Sequence, residues 1–255
     1  MNLICCQTDI AWEDKRANFE RIDGLLAGVA VSPGSLLVFP ELSTVGFTMN
    51  VERVGEPMDG ESTAYFSGLA RRLACHIIAG IPGRDDSGRG LNEAVCFRPD
   101  GTLGERYRKV HLFPLSGEGG HYLAGSEPIL TRIDGWAVAP FICYDLRFPE
   151  LFRRATRQGA ELMVVIANWP AVREDHWITL LRARAIENQA YVAGVNRCGS
   201  DPNLEYSGAS LIVSPTGEVL ARADSSAGVI SATLDRELFD GWRGRFPALA
   251  DMKLI

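Results

Sequence analysis

The chain has 255 residues, 46% of them apolar and 23% charged, with 32 acids against 26 bases for a formal charge of −6. That balance excludes a nucleic-acid partner, because phosphate binding needs a concentrated basic face and the arginines here alternate with acids. The length suits one domain, residues 1–255, with a large buried core.

The chain opens MNLICCQTDIAW, without a basic leader, a long apolar stretch or a small-residue cleavage site, and so does not read as a signal peptide. No apolar run approaches the roughly 18 residues needed to cross a bilayer, so no membrane partner is expected. Residues 2–9 read as a strand. A helix over 14–30 follows, with Phe19, Ile22, Leu25, Leu26 and Val29 spaced along one face. Leu36–Phe39 reads as a buried strand, 61–74 as a helix and His76–Gly80 as another strand. Arg98-Pro99-Asp100-Gly101-Thr102 carries a hairpin signal, repeated later in Ser214-Pro215-Thr216-Gly217-Glu218. The second half predicts a strand at 135–143, a helix at 149–158, a strand at Leu162–Ala167 and a helix over 174–189. Strands near 190–195, 207–213, 218–223 and 228–233 complete the chain. Hairpins mixed with β-α-β units imply an α/β fold, with a mixed sheet or two sheets covered by helices. Cys5, Cys6, Cys75, Cys96, Cys143 and Cys198 are too sparse for a disulfide framework, and no Cys or His spacing suits zinc. Reduced thiols, a cytoplasmic setting and no metal or cofactor are expected.

Chemistry concentrates in Trp136–Glu150, WAVAPFICYDLRFPE. An apolar strand runs into Cys143, and Phe148-Pro149-Glu150 opens a helix with Pro at its start, where a missing N–H costs nothing. Cys143 therefore sits on a sharp strand-to-helix turn, with the N–H of Tyr144 beside it as the beginning of an oxyanion site. The alternative local reading is a small buried apolar residue. A thiol with a pKa of about 8.5 needs an activator at neutral pH. Glu41, after the buried strand and Pro40, and Lys109, at the end of a hairpin strand, lie where α/β folds gather functional groups. Each alone also reads as a surface cation or a loop cap.

Together the motifs carry a resemblance. Phe39-Pro40-Glu41, Lys109-Val110-His111-Leu112-Phe113 and Cys143-Tyr144-Asp145-Leu146-Arg147-Phe148-Pro149-Glu150 stand in the order and spacing of the nitrilase superfamily, the carbon–nitrogen hydrolases. Ala167-Asn168-Trp169-Pro170, His176-Trp177, the run Ala183–Val192, Asn196-Arg197, Tyr206-Ser207-Gly208 and Phe246-Pro247-Ala248 extend the likeness over nearly the whole chain and make it similar to the ω-amidase branch.

The resemblance implies a four-layer α-β-β-α sandwich, a homodimer with helices at its interface, and hydrolysis of a 2-oxo dicarboxylate monoamide such as 2-oxoglutaramate or 2-oxosuccinamate. It assigns Cys143 as nucleophile, Glu41 as general base and Lys109 as the cation holding the oxyanion. Lys109 would also favour the thiolate of Cys143. Glu118, in the Gly-rich 114–125 loop that could serve as a lid, corresponds to a second glutamate orienting substrate or Lys109. A substrate carboxylate calls for arginine. Arg173 is the choice, with His176 next; Arg147 is the rival, although it could instead pair internally with Asp145 or Glu150. Phe47, Tyr144 and Trp169 could form an apolar wall. A nitrilase or N-carbamoyl hydrolase would use the same residues. A Cys–His dyad with His111 as base and a non-catalytic scaffold are the remaining alternatives.

Overall fold

In the computed structural model, which describes residues 1–253, alternate positions of the first strand, β1 (Asn2–Gln7), serve two different cores. Leu3 and Cys5 point to one and Ile4 and Cys6 to the other, as the two-residue period of a strand requires. The chain continues through α1 (Lys15–Leu26), β2 (Leu36–Val38), α2 (Val51–Val54), α3 (Glu61–Leu73), β3 (His76–Arg84), β4 (Gly90–Phe97), β5 (Leu103–Arg108), α4 (Glu118–His121), β6 (Thr131–Ile133), β7 (Trp136–Ile142), α5 (Pro149–Arg157), β8 (Leu162–Ala167), α6 (Glu174–Asn188), β9 (Tyr191–Asn196), β10 (Cys198–Ser200), β11 (Glu205–Ser207), β12 (Leu211–Val213), β13 (Val219–Arg222), β14 (Gly228–Thr233) and α7 (Arg236–Arg245).

One sheet has the strand order β14-β1-β2-β3-β4-β5 and the other β13-β12-β9-β8-β7-β6. Each is parallel at its centre (β1-β2-β3 and β7-β8-β9) and antiparallel toward both edges. The two inner faces share a core in which Leu36, Val38, Ile78 and Tyr107 meet Val138, Leu162, Val164 and Val195. The outer face of the first sheet packs Ile77, Val95 and Phe97 against Ile22, Phe66 and Leu69 of α1 and α3. The second sheet is covered by α5 and α6 through Phe152, Trp177 and Leu181. The result is an α-β-β-α sandwich. Strand β8, Leu-Met-Val-Val-Ile-Ala, is buried on both faces, as a central parallel strand must be.

Several boundaries differ from the sequence reading. Helix α1 stops at Leu26; Val29 N–H bonds Leu26 O in a turn beyond Gly28, and Pro33 follows. The strand expected at 207–213 is divided into β11 and β12. Gly208 (φ 67°) and Ala209 (φ 54°) bend left-handed there, presenting their carbonyls to Asn196 Nδ2 and Trp177 Nε1. Helix α7 was not foreseen; the Asp235 carboxylate caps it by accepting from Leu238 N. Among the described residues no helix is long and apolar enough to cross a membrane.

Candidate active site

Both sheets aim the C-terminal ends of their parallel strands at one place. β2 leads through Phe39 and Pro40 to Glu41, whose backbone lies flat against Gly80 of β3. A Cβ at Gly80 would fall 2.3 Å from Leu42 N and 2.5 Å from Pro40 O, so only glycine admits this approach. Gly80 N donates to Pro40 O, and Gly80 O accepts from Ser43 N and Ser43 Oγ. The Glu41 side chain is fully buried and satisfied: Oε1 accepts from Lys109 Nζ (2.9 Å) and Asn92 Nδ2 (2.8 Å), and Oε2 from Asn168 N (2.9 Å).

Lys109 follows β5, with its backbone clipped to Asn92 O and Gly125 N. Its ammonium is buried between Glu41 and Glu118, the latter at 3.0 and 3.1 Å, and lies 5.0 Å from the Phe47 ring centroid. Asn92 Nδ2 also reaches Glu118 Oε1 (3.0 Å), and Phe113 N donates to Glu118 Oε2 (2.6 Å). The 114–125 segment is correspondingly anchored. Tyr122 Oη donates to Thr48 O, and Arg89 donates to Gly119 O and Tyr122 O, so this segment does not hang free as a single flap.

Cys143 ends β7 with φ +48°, a left-handed conformation that costs a non-glycine residue about 1–3 kcal/mol. It begins a 3-10 turn, Cys143–Arg147, so the Tyr144 N–H lies in a first turn where N–H groups lack helical partners. Asp145 holds the elbow. Its buried carboxylate accepts from Ile142 N, His111 N and Tyr107 Oη and pairs with His111 Nδ1. The His111 ring stacks on Phe148 (3.7 Å) and pairs through Nδ1 with Asp145, and among the described residues no hydrogen bond joins it to Cys143.

A carbon–nitrogen hydrolase family model matches residues 4–244. The chain is a carbon–nitrogen hydrolase. It is 40% identical to the omega-amidase YafV of Yersinia enterocolitica, over 98% of this chain and 96% of that protein. It is 34% identical to a 2-oxoglutaramate amidase of Bacillus subtilis over the same shares. Among solved structures, a CN-hydrolase superfamily protein of Xanthomonas campestris, with an arsenic adduct in its active site, superposes with a TM-score of 0.93 at 34% identity, covering 100% of this chain and 98% of that one. A nitrilase superfamily member from Saccharomyces cerevisiae gives 0.87 at 27% identity, covering 97% and 94%.

The electrostatics of this carbon–nitrogen hydrolase differ in one respect from the sequence reading, in which Lys109 favours a thiolate. Burial first, and then the charges of Glu41 and Glu118, push the Cys143 thiol well above its usual range and outweigh Lys109. Two carboxylates against one ammonium make the immediate surroundings of the sulfur negative, so the resting sulfur keeps its proton. Burial alone would raise the Glu41 carboxyl, but Lys109, Asn92 and the Asn168 N–H overcome it and hold the group below its usual range. Burial opposes the Lys109 charge, yet Glu41 and Glu118 hold its proton more firmly than usual. The resting site therefore pairs a neutral thiol with an ionised base.

A pocket opens over the sulfur. Phe47, Tyr144, Trp169 and Arg173 line it as expected, and Arg147 joins them. Arg147 makes neither internal ion pair considered for it: Asp145 is taken by its own partners, and Glu150 is exposed. His176 does not line the pocket; it is exposed, with Nδ1 3.3 Å from Arg147. Asn92 was missed, although a carboxamide inside the buried run Leu91–Phe97 is a sequence signal for a polar partner. Tyr206 and Phe113 were also missed as pocket residues and carry no comparable signal.

Proposed function

We propose that this carbon–nitrogen hydrolase is an ω-amidase, cleaving the terminal amide of a short 2-oxo dicarboxylate monoamide through a Glu41–Lys109–Cys143 triad assisted by Glu118. The observation that carries the substrate is the pocket itself. Two guanidiniums, Arg147 and Arg173, line it without an ion pair, and no carboxylate lines it among the described residues. A free carboxylate on the substrate is welcomed there, whereas an α-ammonium would meet only positive charge. The ω-amidase and 2-oxoglutaramate amidase relatives support the same choice.

The cycle follows from the resting charges. As Cys143 Sγ attacks the amide carbon, Glu41 takes the thiol proton. The new oxyanion is held by the Tyr144 N–H and by one Lys109 proton, with a second on Glu41 and the third shared by the two oxygens of Glu118. Glu41 returns the proton to the nitrogen, ammonia leaves and a thioester remains. Glu41 then draws a proton from water; the carbonyl adds hydroxide and expels the sulfur, which is reprotonated as the acid departs. Glu118 fixes Lys109 beside Glu41, with Asn92 Nδ2 donating to both carboxylates.

The test is ammonia release from 2-oxoglutaramate, 2-oxosuccinamate, glutamine, asparagine and simple nitriles. The 2-oxo amides are expected to exceed the amino acids about 100-fold or more, since like-charge contact costs several kcal/mol. A preference for a nitrile, or for glutamine, overturns the assignment. The working assembly proposed is a homodimer, to which the half-exposed Ile186 of α6 would contribute. The compartment proposed is the cytoplasm, which suits six unpaired cysteines.

A further inference from the structure

The run Ala183–Val192 lies outside the triad, and none of its residues lines the pocket. One of them is nevertheless tied to the nucleophile's turn. Arg184 of α6 is 4% exposed, and its Nη2 donates to Leu146 O at 2.6 Å, inside the Cys143–Arg147 turn. Nη1 donates to Glu187 Oε1 (2.9 Å), and the guanidinium carbon lies 5.1 Å from the Phe152 ring centroid. Burying a guanidinium costs desolvation that only good partners offset. Here one of the two partners is a backbone carbonyl of the turn.

The sequence explains why Leu146 O needs such a donor. A 3-10 bond to it would come from the residue three on, which is Pro149 and has no N–H. Among the described residues no other backbone N–H reaches it. A buried carbonyl must find a partner, and a charged donor makes a strong one. The same turn carries the left-handed Cys143 (φ +48°), a conformation that persists only where the surroundings fix it. Asp145 fixes the turn from the side of the first sheet, through Tyr107 Oη and His111 N, and to β7 through Ile142 N. Arg184 fixes it from the helix layer outside the second sheet. Helix α6 is itself fastened to α5, where Arg153 Nη1 donates to Glu187 O (2.7 Å) and Thr156 Oγ1 to Asn188 Oδ1 (2.9 Å). The turn is thus held on both sides.

We infer that Arg184 is a positioning residue for catalysis: through Leu146 O it holds the Cys143–Arg147 turn so that Cys143 Sγ and the Tyr144 N–H stay in register with Glu41 and Lys109. The inference rests on Cys143 as the nucleophile and on no particular substrate.

The experiment measures ammonia release on whichever amide of the panel above is turned over fastest. Arg184→Met keeps the stem over Phe152 and removes the donors. It is expected to lower kcat about 30–100-fold with KM changed less than about threefold, since misplacing a reacting group by about 1 Å costs about 100-fold in rate. Arg184→Lys keeps one charged donor and should recover part of kcat. Thr156→Val is the stability control. It cuts a buried bond between α5 and α6 without touching the turn, and should lower the urea midpoint while leaving kcat within about twofold. Alkylation of Cys143 by iodoacetamide gives a second readout that needs no turnover. Arg184→Met should bring its rise to lower pH, by letting the sulfur leave its buried place beside Glu41 and Glu118, and Thr156→Val should not. If Arg184→Met does not fold, Arg184→Gln, which keeps a neutral donor of shorter reach, should lower kcat about tenfold at unchanged KM. A kcat equal to the parent's in the folded variant, a matching loss in Thr156→Val, a fall carried by KM alone, or an unmoved alkylation profile overturns the inference. Full activity in Cys143→Ala would overturn it together with the nucleophile on which it rests, whereas a different preferred amide would sink the substrate reading and leave Arg184 in its role.

Discussion

The buried Glu41 carboxylate is held in place by the protein itself. Each oxygen has fixed donors, and the same donors that hold the carboxylate ionised keep it aimed. Replacing Glu41 by Gln keeps the shape and removes the base, so turnover should drop about 10²–10⁴-fold, measured as ammonia release, while Cys143→Ala should abolish it. The pH dependence has a definite sign. Glu41 sits below the usual carboxylate range, so it remains an ionised base down to its lowered folded pKa, while the stability it contributes is complete above the usual range and is lost as pH falls from there through the folded pKa. Asn92→Ala removes one of the hydrogen bonds that lower it, so the acid limb of kcat/KM should move to higher pH; an unmoved limb would show that Asn92 does not tune the base. Because burial and two carboxylates keep the Cys143 thiol protonated, alkylation by iodoacetamide should climb with pH without levelling off in the usual thiol range. At this scale the residues that meet around the sulfur were legible in the sequence, because each ends a strand beside a recognisable run. The thiol's protonation state was not, since it depends on Glu118 and on burial that only the folded chain supplies.

Among the elements, those with a strong period were legible and those set by contact were not. β8 and α3 announce themselves by apolar runs and spacing, and the structure keeps their limits nearly unchanged. The break between β11 and β12 depends on Trp177 and Asn196 bonding the bent carbonyls, which no local propensity encodes. Gly80 belongs to the same class: inside β3 it reads as an unremarkable weak spot, yet it is the floor on which the Glu41 backbone rests. Gly80→Ala should therefore cost about 1–3 kcal/mol in denaturant unfolding, the range for overpacking, and should lower kcat more than KM by displacing Glu41. A variant as active and as stable as the parent would show that the strand yields without moving the base. The Asp145 hub makes the corresponding point for the nucleophile's turn, since its four contacts tie β5, β7 and the 3-10 turn together.

At the scale of the whole molecule, the site is divided between the two sheets. Glu41 and Lys109 come from the first sheet's side and Cys143 and Asn168 from the second's, and the inner core holds the sheets together. The bond from Asn168 N to Glu41 closes across 127 residues, and the Asn168 side chain fastens to Glu41 O (2.6 Å) over the same separation. A refolding chain can thus regain its helices and most of its strands well before it regains a base facing a sulfur. Recovery of ammonia release should lag the return of far-ultraviolet circular dichroism, because long-separation contacts are slow to form. The enzyme carries its own reporter of complete assembly: catalysis begins only when the last seam between the halves is drawn shut.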